Sequence, residues 1–150
     1  MFIPINLNEA KELRPVPNAK YDLVITGCDQ TETREKKTPQ FKIAIAIEGQ
    51  DTAPNVNHFL GIPSDKDEAG AMSFKILLMK RFLTLFGVPI DPKGFDTDAL
   101  AMEMVGARAK AELTLTEPDD NGNVYNRLVV PKLNDEGLTG GRPAPKPPKR

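Results

Sequence analysis

The sequence predicts a mainly β fold: a small five-stranded barrel, OB-like in its order of elements, with one main helix between strands 3 and 4 and a short second helix. Three observations point there. Gln40-Phe-Lys-Ile-Ala-Ile-Ala-Ile-Glu48 sets Phe41, Ile43, Ile45 and Ile47 against Lys42, Ala44, Ala46 and Glu48, the period-two pattern of a strand with one face on a core. Ala107 to Thr116 alternates in the same way, with Ala107, Ala109, Ala111, Leu113 and Leu115 in one phase and Arg108, Lys110, Glu112, Thr114 and Thr116 in the other. Between them lies one apolar stretch, Phe74 to Phe86, whose length suits a helix.

The elements follow in chain order. Residues 1–19 are expected to form a lead-in arm, with at most one helical turn capped by Asn8 before Pro15 and Pro17 end it. Tyr21 to Gly27 reads as the first strand. A polar loop, Cys28 to Pro39, joins it to the second, Gln40 to Glu48. Val56 to Leu60 is a short third strand between Pro54 and Gly61, its phase open between Phe59 and His58. Ser64 to Phe86 reads as mainly helical, with Ser64 and Asp67 as a capping-box start and Gly87 with Pro89 as the stop. From Ser73 onward only Ser73, Lys80 and Thr84 form a polar stripe, so this helix, phenylalanines included, is expected to be covered on most sides and to plug the barrel. Either the N-terminal arm or a second subunit would cover what remains.

Asp96 to Met104 is a second, short helix capped by Asp96 or Thr97. The fourth strand comes next. Turn chemistry in Glu117 to Asn123, with its Asn-Gly pair at Asn121 and Gly122, then returns the chain into a fifth strand over Val124 to Lys132. The barrel domain therefore spans 20–133. Residues 134–150, ending in Lys149 and Arg150, are too poor in apolar side chains to fold and read as a flexible, basic, proline-rich tail.

Composition narrows the function classes. A chain of 150 residues fits one domain that buries roughly 70% of its unfolded surface without a disulfide or metal staple. One cysteine excludes an internal disulfide and suits a reducing cytoplasm. No run of about 18 apolar residues and no basic-flanked leader occurs, so a soluble, cytoplasmic protein is expected. One histidine and one cysteine leave no zinc cluster and no Cys-His nucleophile pair, and no phosphate-loop motif is present. The acidic pairs Asp65/Asp67, Asp96/Asp98 and Asp119/Asp120 fall at caps and turns, where local backbone geometry favours them. Binding without a cofactor, rather than catalysis, is the expectation.

If the alternating apolar residues face inward, the outward set is Lys42, Ala44 and Ala46 on strand 2, Asn57 and Phe59 on strand 3, Arg108 and Lys110 on strand 4, and Tyr125 and Arg127 on strand 5. Cations interleaved with aromatic rings suit unpaired nucleic acid, because phosphates need positive charge and exposed bases stack on rings. Arg34, Lys36 and Lys37 in the first loop would clamp the backbone. Duller readings stand beside these: Phe41 shares its phase with three isoleucines, Tyr125 suits cross-strand packing, and the loop cations sit among Glu32 and Glu35. The net charge of −1 argues against wholesale attraction to phosphate, although a neutral protein can present a basic face.

Lys20-Tyr-Asp-Leu-Val-Ile25, Thr38-Pro-Gln-Phe-Lys-Ile-Ala-Ile45, Lys75-Ile-Leu-Leu-Met-Lys-Arg-Phe-Leu83, Val105-Gly-Ala-Arg-Ala-Lys-Ala-Glu-Leu113 and Asn123-Val-Tyr-Asn-Arg127 together resemble the bacteriophage single-stranded DNA-binding proteins of the OB-fold type. The resemblance covers residues 8–133. It implies a protein of the host cytoplasm that coats single-stranded DNA during phage replication or recombination, with replication or recombination proteins as partners; RNA in place of DNA, and a homodimer, stay open. Two departures stand out. Ala19-Lys20 replaces an expected glycine before the first tyrosine, and the chain ends basic where the better-known bacterial single-strand binders end acidic. The competing expectation is a phage assembly module that binds protein and no nucleic acid.

Overall fold

The computed structural model describes residues 1–133, so the expected tail at 134–150 lies outside the described residues. After a 3-10 turn, Leu7–Glu9, the elements are β1 (Ala19–Glu32), β2 (Pro39–Ile47), β3 (Val56–Gly61), α1 (Ala69–Leu85), α2 (Thr97–Met104), β4 (Arg108–Leu115) and β5 (Asn126–Leu128). All pairings are antiparallel, in the order β3-β2-β1-β4-β5, and the two outer strands approach one another. The sheet thereby rolls into a nearly closed barrel with the OB-like order of strands and a helical insertion after the third.

The long first strand carries the closure. Ala19 to Val24 pairs with β4, whereas Leu23 to Glu32 pairs with β2. Ile25 is opposite Ile45 and Gly27 is opposite Ala44, which leaves Thr26 as an extra residue, a β-bulge. Before the bulge Leu23 and Ile25 face the core; after it Cys28 lies opposite Ile43 and Gln30 opposite Phe41. The core beneath is built from Phe41, Ile43, Ile45, Val56, Leu60, Ala111, Leu113 and Leu128 of the strands, with Met79, Phe82, Leu83, Phe86, Leu100 and Met104 from the helical segments.

Several expectations need correction. The first loop is far shorter than Cys28 to Pro39, because Cys28 to Glu32 pair with Ile43 to Pro39 and extend the hairpin. The main helix begins at Ala69, not Ser64. The Asp67 carboxylate turns back to accept the Ser64 backbone N–H at 2.9 Å and the Lys75 ammonium at 2.8 Å, closing a turn ahead of a helix whose cap, Glu68, makes no side-chain bond. Lys75 above all, then Ser64, holds that carboxyl below the usual carboxylate range. The cap of the N-terminal turn is Asn6 rather than Asn8, and β5 is three residues long, Asn126–Leu128, with single backbone bonds at its ends from Thr116 N–H to the Tyr125 carbonyl and from Val129 N–H to the Glu112 carbonyl.

The end of α1 follows its sequence signals closely. Gly87 takes φ +68°, its N–H bonds the Thr84 carbonyl, and Val88 N–H reaches back to Leu83, a Schellman closure with buried Val88 against buried Leu83. Its covering does not match expectation. The C-terminal half is in the core, with His58 and Phe86 each packed on the ring of Phe82, but Phe74 is 57% exposed and Ile76 52% exposed. The body encloses only half of this helix. Asp96 caps α2 by accepting the Ala99 N–H, as its position suggests.

Candidate nucleic-acid interface

Residues opposite one another on neighbouring strands share a face, so the register defines what the outer surface presents. Lys42 on β2 is opposite Phe59 on β3, and both are exposed, Phe59 by 54%. Ala44 is opposite Asn57 further along. The open phase of β3 is thus resolved with Phe59 outside and His58 inside, where it stacks on Phe82. Phe41 is fully buried, so it belongs to the core and not to a stacking surface.

Beyond this pair the β1–β2 hairpin ends in a tight tip. The Thr33 hydroxyl accepts from the Thr38 N–H and lies 3.0 Å from the Thr38 hydroxyl, the Thr33 N–H donates to the Thr38 carbonyl, and Lys37 N–H donates to the Thr33 carbonyl. Lys37 adopts φ +53°, in the left-handed region. The two threonines close the tip, and Arg34, Lys36 and Lys37 belong to it, all three exposed. Arg34 and Lys36 line a shallow open hollow with Thr33, Glu35 and Thr38.

The remaining residues form a second group on the other side of β1. Lys110 is opposite Asp22, Arg127 is opposite Thr114, and both cations reach solvent. Arg108 is committed to a partner, since its guanidinium pairs with the Glu48 carboxylate. Tyr125 is exposed, and its hydroxyl donates to Asp119 at 3.3 Å. Backbone N–H donation from Asn123 first, and from Asn121, keeps Asp119 below the usual carboxylate range, so Tyr125 stands beside a fixed negative charge. Among the described residues only Lys75–Asp67 and Arg108–Glu48 form ion pairs; Arg34, Lys36, Lys37, Lys42, Lys110 and Arg127 form none there.

The structure therefore divides the nine candidates. Arg34, Lys36, Lys37, Lys42 and Phe59 share the β1–β2 hairpin and its β3 neighbour, while Arg108, Lys110, Tyr125 and Arg127 occupy β4, β5 and the turn between them. Arg108 and Lys42 lie two strands apart and offset along them, a separation of roughly 15 Å on strand geometry. What the outward count misses is the acid on the same face. Asp29 lies opposite Lys42, Asp22 opposite Lys110 and Glu112 opposite Lys20, and Glu48 binds Arg108. Three of these are readable from alternation: Glu48 in the strand 2 pattern, Glu112 in the strand 4 pattern and Asp22 beside inward Leu23. Asp29 stands in a segment whose polar composition predicts loop.

Other chemistry is sparse. Burial, then the neighbouring Asp29, pushes the Cys28 thiol up to about 11, which keeps it protonated and a poor nucleophile at neutral pH. Among the described residues no group of three or more His, Cys, Asp or Glu side chains could hold a metal ion, and no helix is long and apolar enough to cross a membrane. No protein-family model matches the chain, and a search of curated proteins finds no match either.

Proposed function

We propose that this protein binds single-stranded DNA without strong sequence preference, in the manner of the phage single-strand binders that its segments resemble, and protects single strands during replication or recombination. The observation that carries the reading is the exposed Lys42–Phe59 pair on the outer β2–β3 face of an OB-like barrel, with the unpaired cations of the hairpin tip beyond it. A ring half in water on a strand face costs apolar hydration that a stacked base removes, at roughly 1–3 kcal/mol per base. A lysine beside it can meet the phosphate. Lys110, Arg127 and Tyr125 extend the path across β4 and β5, with Arg108 beside them, bridged to Glu48 but still largely exposed.

Because carboxylates interleave with the cations on the sheet, the electrostatic contribution centres on Arg34, Lys36, Lys37 and Lys42. Four phosphate contacts give a slope of log K against log salt of about −3 for a single strand. Fluorescence anisotropy of labelled oligothymidine and of a matched duplex, at two salt concentrations, tests this. Salt-sensitive binding of the single strand, much weaker binding of the duplex, and loss of at least about fivefold in affinity for Phe59→Ala are expected from the stacking term. No binding of oligothymidine at low salt would refute the proposal.

The second reading, a protein-binding assembly module, is favoured by one observation: large apolar side chains stand exposed on the N-terminal arm and on α1.

A further inference from the structure

The N-terminal arm is the most apolar exposed segment among the described residues. Phe2 is 87% exposed and Leu7 81%, Ile3 and Ile5 are exposed with them, and residues 1–14 reach solvent throughout. Its backbone bonds within residues 1–10 are local: Ile5 to Ile3, Glu9 to Asn6 and Ala10 to Leu7. Attachment to the barrel begins at Arg14, whose N–H donates to the Thr52 carbonyl, and is completed at buried Val16, held by Asn126. The arm is rooted, but its apolar side chains are covered by nothing among the described residues. The first half of α1 has the complementary deficiency, since Phe74 and Ile76 project into solvent.

We propose that these two surfaces meet between copies of this chain, the arm of each copy lying across the first half of α1 of the other in a reciprocal dimer. The area fits. Phe2, Ile3, Ile5 and Leu7 with Phe74 and Ile76 present on the order of 700 Å² per copy, close to the roughly 800 Å² that each partner contributes to a standard interface. Reach also fits, because the residues ahead of the root at Arg14 extend up to roughly 45 Å. A second copy is the occupant because both halves of the contact reside on one chain, which makes the surface self-complementary under two-fold symmetry. None of these six side chains carries charge, so association should persist at high salt, unlike the binding of DNA.

Sedimentation of the full chain across micromolar concentrations, without nucleic acid, tests the inference independently of the DNA reading. The wild type should show twice the 16.5 kDa chain mass. Phe2→Asp with Ile5→Asp, and separately Phe74→Glu with Ile76→Glu, should each return it to the single-chain mass with an unchanged circular dichroism spectrum, since all four side chains are exposed. Mixing the two variants should recover part of the dimer, because one intact arm then meets one intact helix. A wild type that stays at the single-chain mass, or an arm variant that remains dimeric, overturns the inference. A helix variant that dimerises as the wild type does overturns the assignment to α1.

Discussion

His58 lies almost flat on Phe82, with ring centroids 5.0 Å apart and planes 11° from parallel, and burial lowers its pKa from 6.5 to about 4. The folded protein keeps the ring neutral where the unfolded chain would protonate it. Stability is therefore full above pH 6.5, falls as pH drops through the window, and levels off near 4, a loss on the order of 3 kcal/mol from this residue. Urea unfolding between pH 7 and 5 should show the decline, and His58→Phe should flatten it; an unchanged slope in that variant would assign the proton elsewhere. Asn126 is the other decisive residue. Buried, it accepts from the Val16 N–H at 2.9 Å and donates to the Val16 carbonyl at 2.8 Å, so one side chain pairs with the arm as a strand would. Asn126→Ala strands both backbone groups and should cost about 2–3 kcal/mol in urea unfolding; a cost below about 0.5 kcal/mol would mean that water replaces the amide. Neither role was legible in the sequence. His58 and Phe59 fit either phase of a short strand, and a lone asparagine near a turn looks like turn chemistry until the segment 110 residues away is placed beside it.

At the scale of elements, β2 and β4 were legible because one face of each is dry and the other wet, which writes the period directly into the residues. The far half of β1 was not. Asp29 and Gln30 are exposed, so that ribbon is solvated and carries no apolar alternation. Its pairing is dictated by the partner strand. The same hairpin carries the proposed site, and its tip should act as a unit: Lys36→Ala with Lys37→Ala removes two unpaired cations and should flatten the salt slope for oligothymidine by about 1.4 while leaving the melting temperature within a degree or two. An unaltered slope would detach the tip from the binding path. For α1, hydrophobicity on nearly all sides implies cover on nearly all sides. The structure separates the two. No residue from Ala69 to Leu78 is fully buried, and the Lys75 stem packs over Gly61, where an added β-carbon would stand only 3.3 Å from it.

For the whole molecule, the order of strands and helices along the chain was enough to reach the barrel, whereas the electrostatic character of its surface needed the register. Net charge near zero is distributed as opposed pairs across the sheet, with unpaired cations gathered at the hairpin tip. Closure depends on β1 serving β4 with its first half and β2 with its second, and the change of allegiance falls beside Thr26. Thr26 and Gly27 together stand against Ala44, so deletion of either would leave every later side chain on its present face, since the ladder then runs in regular alternation. Loss of a residue from Cys28 onward would turn the remaining stretch inside out. Thr26 is thus expendable to the reading frame of the strand and indispensable to its curvature: without that extra link the ribbon would run straight, and the sheet would lose the corner around which it closes.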